Sequence, residues 1–219
     1  MKKNELRWNN IQNIDDPFIS YMLYLEGKTT KAISIIRGIS KKEVENHIIK
    51  SKMYFNNSKK TDKNNDLLVK LLSLDKHKRL LYLKRLDKET KNRLCEDIYK
   101  RYIKFKNLED KMILIWLIGE LKDKKLLPLL RMELRNRQVN IRRLACSALG
   151  KIKDDSTREW LENMILDDNP QVRQYAIKAL SHIGDDKTIE KLKGILSKDK
   201  EKEYVKKAAI ETIDKIKAI

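Results

Sequence analysis

The chain has 219 residues, 41% hydrophobic and 37% charged, and its 50 basic against 32 acidic side chains leave it at +18. Six glycines and three prolines are too few for the turns of a sheet protein, and long runs of Lys, Leu, Ile and Glu predict an all-α chain. The longest apolar run, MILIWLIG at 112–119, is far too short to span a bilayer. Cys95 and Cys146 lack Cys or His neighbours at ligand spacing, which argues against a disulfide framework or a zinc site and fits a reducing compartment. The start, MKKNELRWNN, turns polar at once and shows no secretory signal, so a cytoplasmic protein is expected.

The positive charge is uneven. Residues 1–65 carry 13 basic and 7 acidic side chains, residues 66–106 carry 13 and 6, and residues 107–219 carry 24 and 19. A basic surface attracts polyanions such as nucleic acid or anionic membrane. The many Asn and Ile residues also fit a chain that uses Lys as its default surface residue.

The first predicted helix starts at Asp15 or Asp16 with Pro17 and runs through FISYMLYLEG to Gly27. Thr29 caps a second helix through Ile36, with Ile33 and Ile36 on its inner face. Gly38 supplies the positive φ of a sharp turn. Ser40 and Glu43 form the S-x-x-E box that opens a third helix, with Val44 and Ile48 inside. A short helix, a Gly turn and a capped helix make a helix-turn-helix arrangement. The string RGISKKEVENHI resembles the recognition half of LuxR-type and sigma-region-4-like helix-turn-helix domains. The stretch from Gly27 also resembles the helix-turn-helix module GKS-x-x-x-I-A-x-x-RG-[LI]-x-x-x-T-[VI]-x-x-HL, matched at Gly27, Lys28, Thr29, Ile33, Arg37, Gly38, Ile39, Val44, His47 and Ile48. Ser34 replaces the usual Ala, and Glu43 replaces a Thr that often contacts phosphate in those families.

The resemblance implies that the third helix enters the major groove of DNA, with Lys41, Lys42, Glu45 and Asn46 facing out. Lys can donate to guanine and Asn can pair with adenine. Lys31 and Lys50 would contact phosphate. The other reading of the same residues is the solvated face of a three-helix bundle. His47 is read as a half-buried packing residue.

Residues 54–65 read as a polar linker after a helix-turn-helix unit at 1–53. Residues 66–107 read as a helical cap, with Leu67, Leu68, Leu71 and Leu72 on one helix. Leu80, Leu81, Leu83 and Leu86 mark a second, and Leu94, Ile98, Tyr102 and Phe105 a third.

Residues 108–219 repeat. NIRRLACSALGKIKDDSTREWL (140–161) superposes on QVRQYAIKALSHIGDDKTIEKL (171–192) at an offset of 31. A third copy at 204–217 matches at an offset of 33 through Val205, Ala209, Ile213 and Ile216, and Leu114, Leu117, Ile118 and Leu121 belong to a weaker copy upstream. Each copy pairs a long helix with a shorter one at 125–134, 156–165 or 187–196, so the unit is a helical hairpin whose face is buried only by stacking. The string DDNPQVRQYAIKALSHIGD (167–185) resembles the short HEAT repeat of bilin-lyase-like proteins. The fold class is therefore all-α, an α-solenoid behind a small helix-turn-helix unit.

The HEAT resemblance implies that Asp168, Arg142, Arg173 and Lys206 link neighbouring repeats. It also implies a concave face of second helices that binds a protein partner. Arg143, Lys151, Gln174, Lys178, His182 and Lys207, with Lys215, would line that face, unless they are only a solvated stripe.

Chemistry is sparse. G-K-T at 27–29 lacks the upstream Gly and strand of a phosphate loop, no H-E-x-x-H or Cys pair marks a metal, and His47, His77 and His182 are scattered. Adjacent carboxylates at Asp15-Asp16, Asp154-Asp155, Asp167-Asp168 and Asp185-Asp186 sit at helix starts, where they cap. Trp116 and Trp160 fall inside the repeat pattern and are expected in the core. No cofactor, metal or small-molecule substrate is expected. The expected role is a non-enzymatic bacterial adaptor that binds DNA and a protein; the alternatives are a scaffold without DNA binding and a HEAT-type DNA glycosylase.

Overall fold

The computed structural model describes residues 6, 8–57 and 66–218. Among them there are thirteen α-helices and no strand. The chain divides into two compact units, residues 1–113 and 114–219, and the division falls inside α7 (Leu108–Leu121).

In the first unit, α1 (Asp16–Leu25), α2 (Thr30–Arg37) and α3 (Lys41–Asn57) form a three-helix group. The helix ends follow from local chemistry. The Ala32 N–H donates to Thr29 Oγ1, the Glu43 N–H donates to Ser40 Oγ, and Gly38 takes φ 63° between α2 and α3. Phe18, Tyr21 and Met22 of α1, Ile33 of α2, and Val44, Ile48 and Phe55 of α3 make the core. His47 is buried as expected, its Nδ1 3.1 Å from Ser20 Oγ.

Two expectations fail here. Ile36 is 56% exposed rather than inside, because Arg37 turns toward α1 and reaches Asp16 and Ser20, which swings Ile36 outward. Residues 54–57, expected as linker, are the last turn of α3. Tyr54 and Phe55 set their rings 5.1 and 5.2 Å from Phe18, so the apolar face of α3 outlasts its polar-looking sequence. The remainder of the expected linker, 58–65, lies outside the described residues.

The cap comprises α4 (Leu67–Ser73), α5 (Lys76–Arg85) and α6 (Lys88–Arg101), opened by Asp66, Asp75 and Asp87, each accepting an N–H three residues on. Leu68, Leu71, Leu72, Leu83, Leu94 and Ile98 are buried, while Leu81 is 41% exposed. Arg79 is buried instead and donates to the carbonyls of Leu71 and Leu74 at the end of α4.

The start of α7 is fastened to the three-helix group. Asn107 Nδ2 donates to the carbonyls of Tyr24 and Lys28, and its Oδ1 accepts from the Glu109 and Asp110 N–H groups. Lys52 Nζ lies 2.7 Å from Asp110 Oδ1, with both side chains over 90% buried and the Tyr24 hydroxyl alongside. Burial, then the negative Asp110, pushes the Tyr24 phenol far above its ordinary value, so it stays a donor.

The second unit stacks helical hairpins: α8 (Leu127–Glu133) with α9 (Val139–Ile152), α10 (Arg158–Met164) with α11 (Pro170–Leu180), and α12 (Asp186–Leu196) with α13 (Glu203–Lys217). Leu114, Leu117, Ile118, Ala145, Ala148, Leu149, Ala176, Leu180, Ala209 and Ile213 are buried, as the repeat register predicts. Small residues let the long helices touch. A Cβ on Gly119 would stand 3.0 Å from the Cα of Ala148, and one on Gly150 would stand 2.9 Å from that of Ala179.

Ion pairs repeat with the hairpins. The Arg142 guanidinium grips Asp167 through Nε and Nη2 at 2.6 and 2.9 Å, and its Nη1 donates to the carbonyls of Asn136 and Arg137. Arg173 repeats the arrangement on Glu201 and the carbonyls of Asp167 and Asp168. The linking residue is thus Asp167 and not Asp168, whose backbone carbonyl takes part. The residue 31 beyond Asp167 is Lys198, so the longer loop before α13 supplies Glu201 instead. Lys206, at the matching place of α13, meets no such carboxylate among the described residues. The segments that open the first helices are tied by Lys124 to Asp154 at 2.7 Å and by Arg158 to Asp185 at 2.9 Å.

These carboxylates titrate low. Lys124 holds Asp154 at about 2. The Thr188 N–H lowers Asp185. Burial would raise Asp167 and Glu201, but Arg142 and Arg173 with the loop N–H groups outweigh it. Folded values below unfolded ones mean stability that is complete above the ordinary carboxylate range and lost as pH falls through the folded values. The second unit should therefore lose its urea resistance between about pH 4 and pH 2, and Lys124→Met should flatten that dependence.

Candidate nucleic-acid and partner surfaces

All six residues expected at DNA are exposed: Lys31 on α2, and Lys41, Lys42, Glu45, Asn46 and Lys50 on α3. On α3 they alternate with the buried Val44, His47 and Ile48, so one face is locked in the core and the other is free. Lys41 is partly committed, with Nζ 3.5 Å from Glu45 in a solvent-exposed pair. An exposed pair of this kind contributes little and yields readily to a phosphate.

The N-terminus of α2 is a different matter. Its N–H groups would suit an anion. The Glu109 carboxylate already sits there, accepting from the Thr30 N–H at 3.0 Å and the Thr30 hydroxyl at 2.8 Å. Sequence conceals this, because the acceptor lies 79 residues from the helix it seals.

The expected partner-binding residues divide. Lys178 of α11 and His182 in the turn after it line an open groove of about 420 Å³ with Tyr175, Glu211, Thr212 and Lys215. Arg143 of α9 lies over the Tyr175 ring at 4.9 Å, at the edge of the same surface. Lys151 is drawn away to Glu120, with its ammonium 5.7 Å from the Trp116 ring. Gln174 Nε2 makes a long contact, 3.5 Å, to the Tyr204 carbonyl. Lys207 faces elsewhere, in an open depression with Leu196, Lys206 and Ile210. The groove thus gathers Lys178, His182 and Lys215, while Lys151 and Lys207 stand outside it.

Burial, then the positive Lys153 and Lys215, lowers the His182 imidazole from its ordinary value. Trp116 and Trp160 are not core residues: both are half-buried, and Arg131 covers the Trp160 ring at 5.0 Å as Lys151 covers Trp116. Tyr175 carries no signal of its own in the sequence. Its apolar body fits the helical period, and only the cation above it and the groove beside it mark it as surface.

Cys95 and Cys146 are buried and in no disulfide, and burial pushes the Cys146 thiol up to about 12, so it is not a nucleophile at neutral pH. Among the described residues no cluster of His, Cys, Asp or Glu could hold a metal, and no helix is long and apolar enough to cross a membrane.

The sequence profile of HEAT repeats matches residues 106–169 and 127–214. No curated protein matches the chain. The matched span takes in α7, the first two hairpins and the third as far as residue 214 of α13.

Proposed function

We propose that this chain, whose residues 106–214 are HEAT repeats, is a non-enzymatic adaptor. The face of its second helices takes a protein partner, and the N-terminal half of α3 contacts duplex DNA. One observation carries the DNA part: Lys42, Asn46 and Lys50 form an exposed row on a helix whose opposite side is fixed by Val44, His47 and Ile48. That row combines residue types suited to base edges and to phosphate. Buried cysteines outside any disulfide fit a reducing cytoplasm.

The second reading is a protein-interaction scaffold without DNA. The seal of Glu109 on the N-terminus of α2 favours it, since the carboxylate fills a place where a phosphate would dock.

Fluorescence anisotropy with random-sequence duplex DNA across a salt series separates the two. The triple substitution Lys41→Ala/Lys42→Ala/Asn46→Ala should weaken binding and flatten the salt dependence, because two cations that displace counterions from the duplex are removed. Binding that ignores the triple change would remove α3 from the DNA interface. No binding at low salt would leave the scaffold reading.

A further inference from the structure

The close approach of the long helices is not uniform along the array. Gly119 meets Ala148 and Gly150 meets Ala179. At the next step the register places Ser181 and Thr212, counted 31 from Gly150 and 33 from Ala179. These larger residues cannot bring two backbones together in the same way. Thr212 instead donates its hydroxyl to the Ile177 carbonyl. It is here, over α11 and against α13, that the second-helix face opens into the groove.

The groove is not neutral. Lys178 and Lys215 line it, and Lys153, with φ 56° at the end of α9, acts on His182 from beside it. Glu211 is the carboxylate among the lining residues. No ion pair ties down Lys178 or Lys215 among the described residues. By contrast, Lys124, Lys151, Arg142, Arg158, Arg173 and Lys191 are each spent on a carboxylate within the array. Tyr175 supplies an aromatic wall, with Arg143 over its ring. Unspent cations around an aromatic wall fit a ligand that brings carboxylates together with apolar side chains. A nucleic-acid backbone fits less well, because Glu211 interrupts the positive lining and would repel a continuous row of phosphates.

We infer that the groove over α11, walled by Tyr175 and bordered by Lys178, His182 and Lys215, receives an acidic segment of the protein partner. This rests on the reading of the second-helix face as the partner-binding surface, and it names the chemistry of that partner. Carboxylates at Lys178 and Lys215 also favour the protonated form of His182, which the neighbouring lysines disfavour in the free protein. Binding therefore tightens as pH falls through the histidine range, against the groups that face the imidazole: Lys153, Lys178, Lys215 and Glu211.

The test has two arms. The first measures a fluorescein-labelled peptide of alternating Glu and Ala, its Gln counterpart and random duplex DNA by anisotropy on the full chain. NMR follows the His182 ring in parallel. The expected result is binding of the Glu peptide alone to this groove, a rise in the His182 pKa on binding, and at least about tenfold weaker binding to Lys178→Glu/Lys215→Glu. Lys125→Glu/Lys187→Glu, the same charge change at exposed lysines away from the groove, should bind almost as wild type. Equal loss in both variants, or an unmoved His182, would overturn the inference. So would DNA that competes with the peptide for the His182 site.

The second arm selects displayed random peptides on the wild-type chain. Face-dependent peptides rich in Asp and Glu support the inference. Face-dependent peptides poor in acids overturn it and leave the partner-binding reading standing. If no peptide depends on Tyr175, Lys178 or Lys215, both fall.

Discussion

Asp110→Ala should destabilise the N-terminal unit by about 3–5 kcal/mol, the usual cost of stranding one partner of a buried ion pair. The reasons are local. Lys52 is 7% exposed, its ammonium is 2.7 Å from Asp110, and its other neighbour is the Tyr24 hydroxyl at 3.4 Å. Without Asp110 the ammonium keeps one weak acceptor in a site it cannot leave. Lys52→Met/Asp110→Leu should restore most of the stability, because an apolar pair of similar volume needs no desolvation. The two units need not unfold together, so a single melting curve mixes them. Native-state hydrogen exchange separates them: the amides of Ile33, Val44 and Ile48 should lose protection in Asp110→Ala, while those of Ala145 and Leu149 keep theirs. Equal loss in both sets, or none, would show that the pair does not fasten α7 to the three-helix group.

The second large effect concerns glycines that look alike in sequence. Gly150→Ala should destabilise the array by about 1–3 kcal/mol, although alanine is the better helix former. Its new Cβ would stand 2.9 Å from both the Cα and the Cβ of Ala179, and backbone cannot step aside as a flexible side chain can. Gly194→Ala, on α12 with nothing within 4 Å, should stabilise by up to about 1 kcal/mol through helix propensity alone. Urea unfolding of the two variants side by side reads the difference in sign. If Gly150→Ala stabilises as much as Gly194→Ala, the long helices are not held by small-residue contact.

The array is legible in the sequence because its information is local and repeated. An offset of 31 brings Ala145 onto Ala176 and Leu149 onto Leu180, and all four are buried. The α1–α3 boundaries are legible through Pro17, Thr29, Gly38 and Ser40, each of which acts on its own few neighbours. Long-range polar contacts leave no such trace. No local pattern marks Lys52, Glu109 or Asp110, yet two of them form a buried pair 58 residues apart and the third seals α2. Ile36 and Arg37 show the same limit at short range: the helical period admits either one inside, and the reach of Arg37 to Asp16 decides. On the partner surface, periodicity selects Lys178 and His182, which line the groove, but also Lys151 and Lys207, which do not. Intrahelical position does not say which cation already has a carboxylate, as Lys151 has in Glu120, or which way a column turns, as Lys207 does toward Ile210.

An adaptor must hold both ligands at once. Random duplex DNA is fixed to beads, the chain is added at low salt, and retention of the fluorescein-labelled Glu peptide is measured. Retention through the wild-type chain is the predicted result. Lys41→Ala/Lys42→Ala/Asn46→Ala should abolish it by releasing the protein, and Lys178→Glu/Lys215→Glu should abolish it by releasing only the peptide. Peptide that instead strips the wild-type chain from the DNA would mean that one basic surface serves both ligands, and would contradict the assignment of DNA to α3 and of the partner to α11.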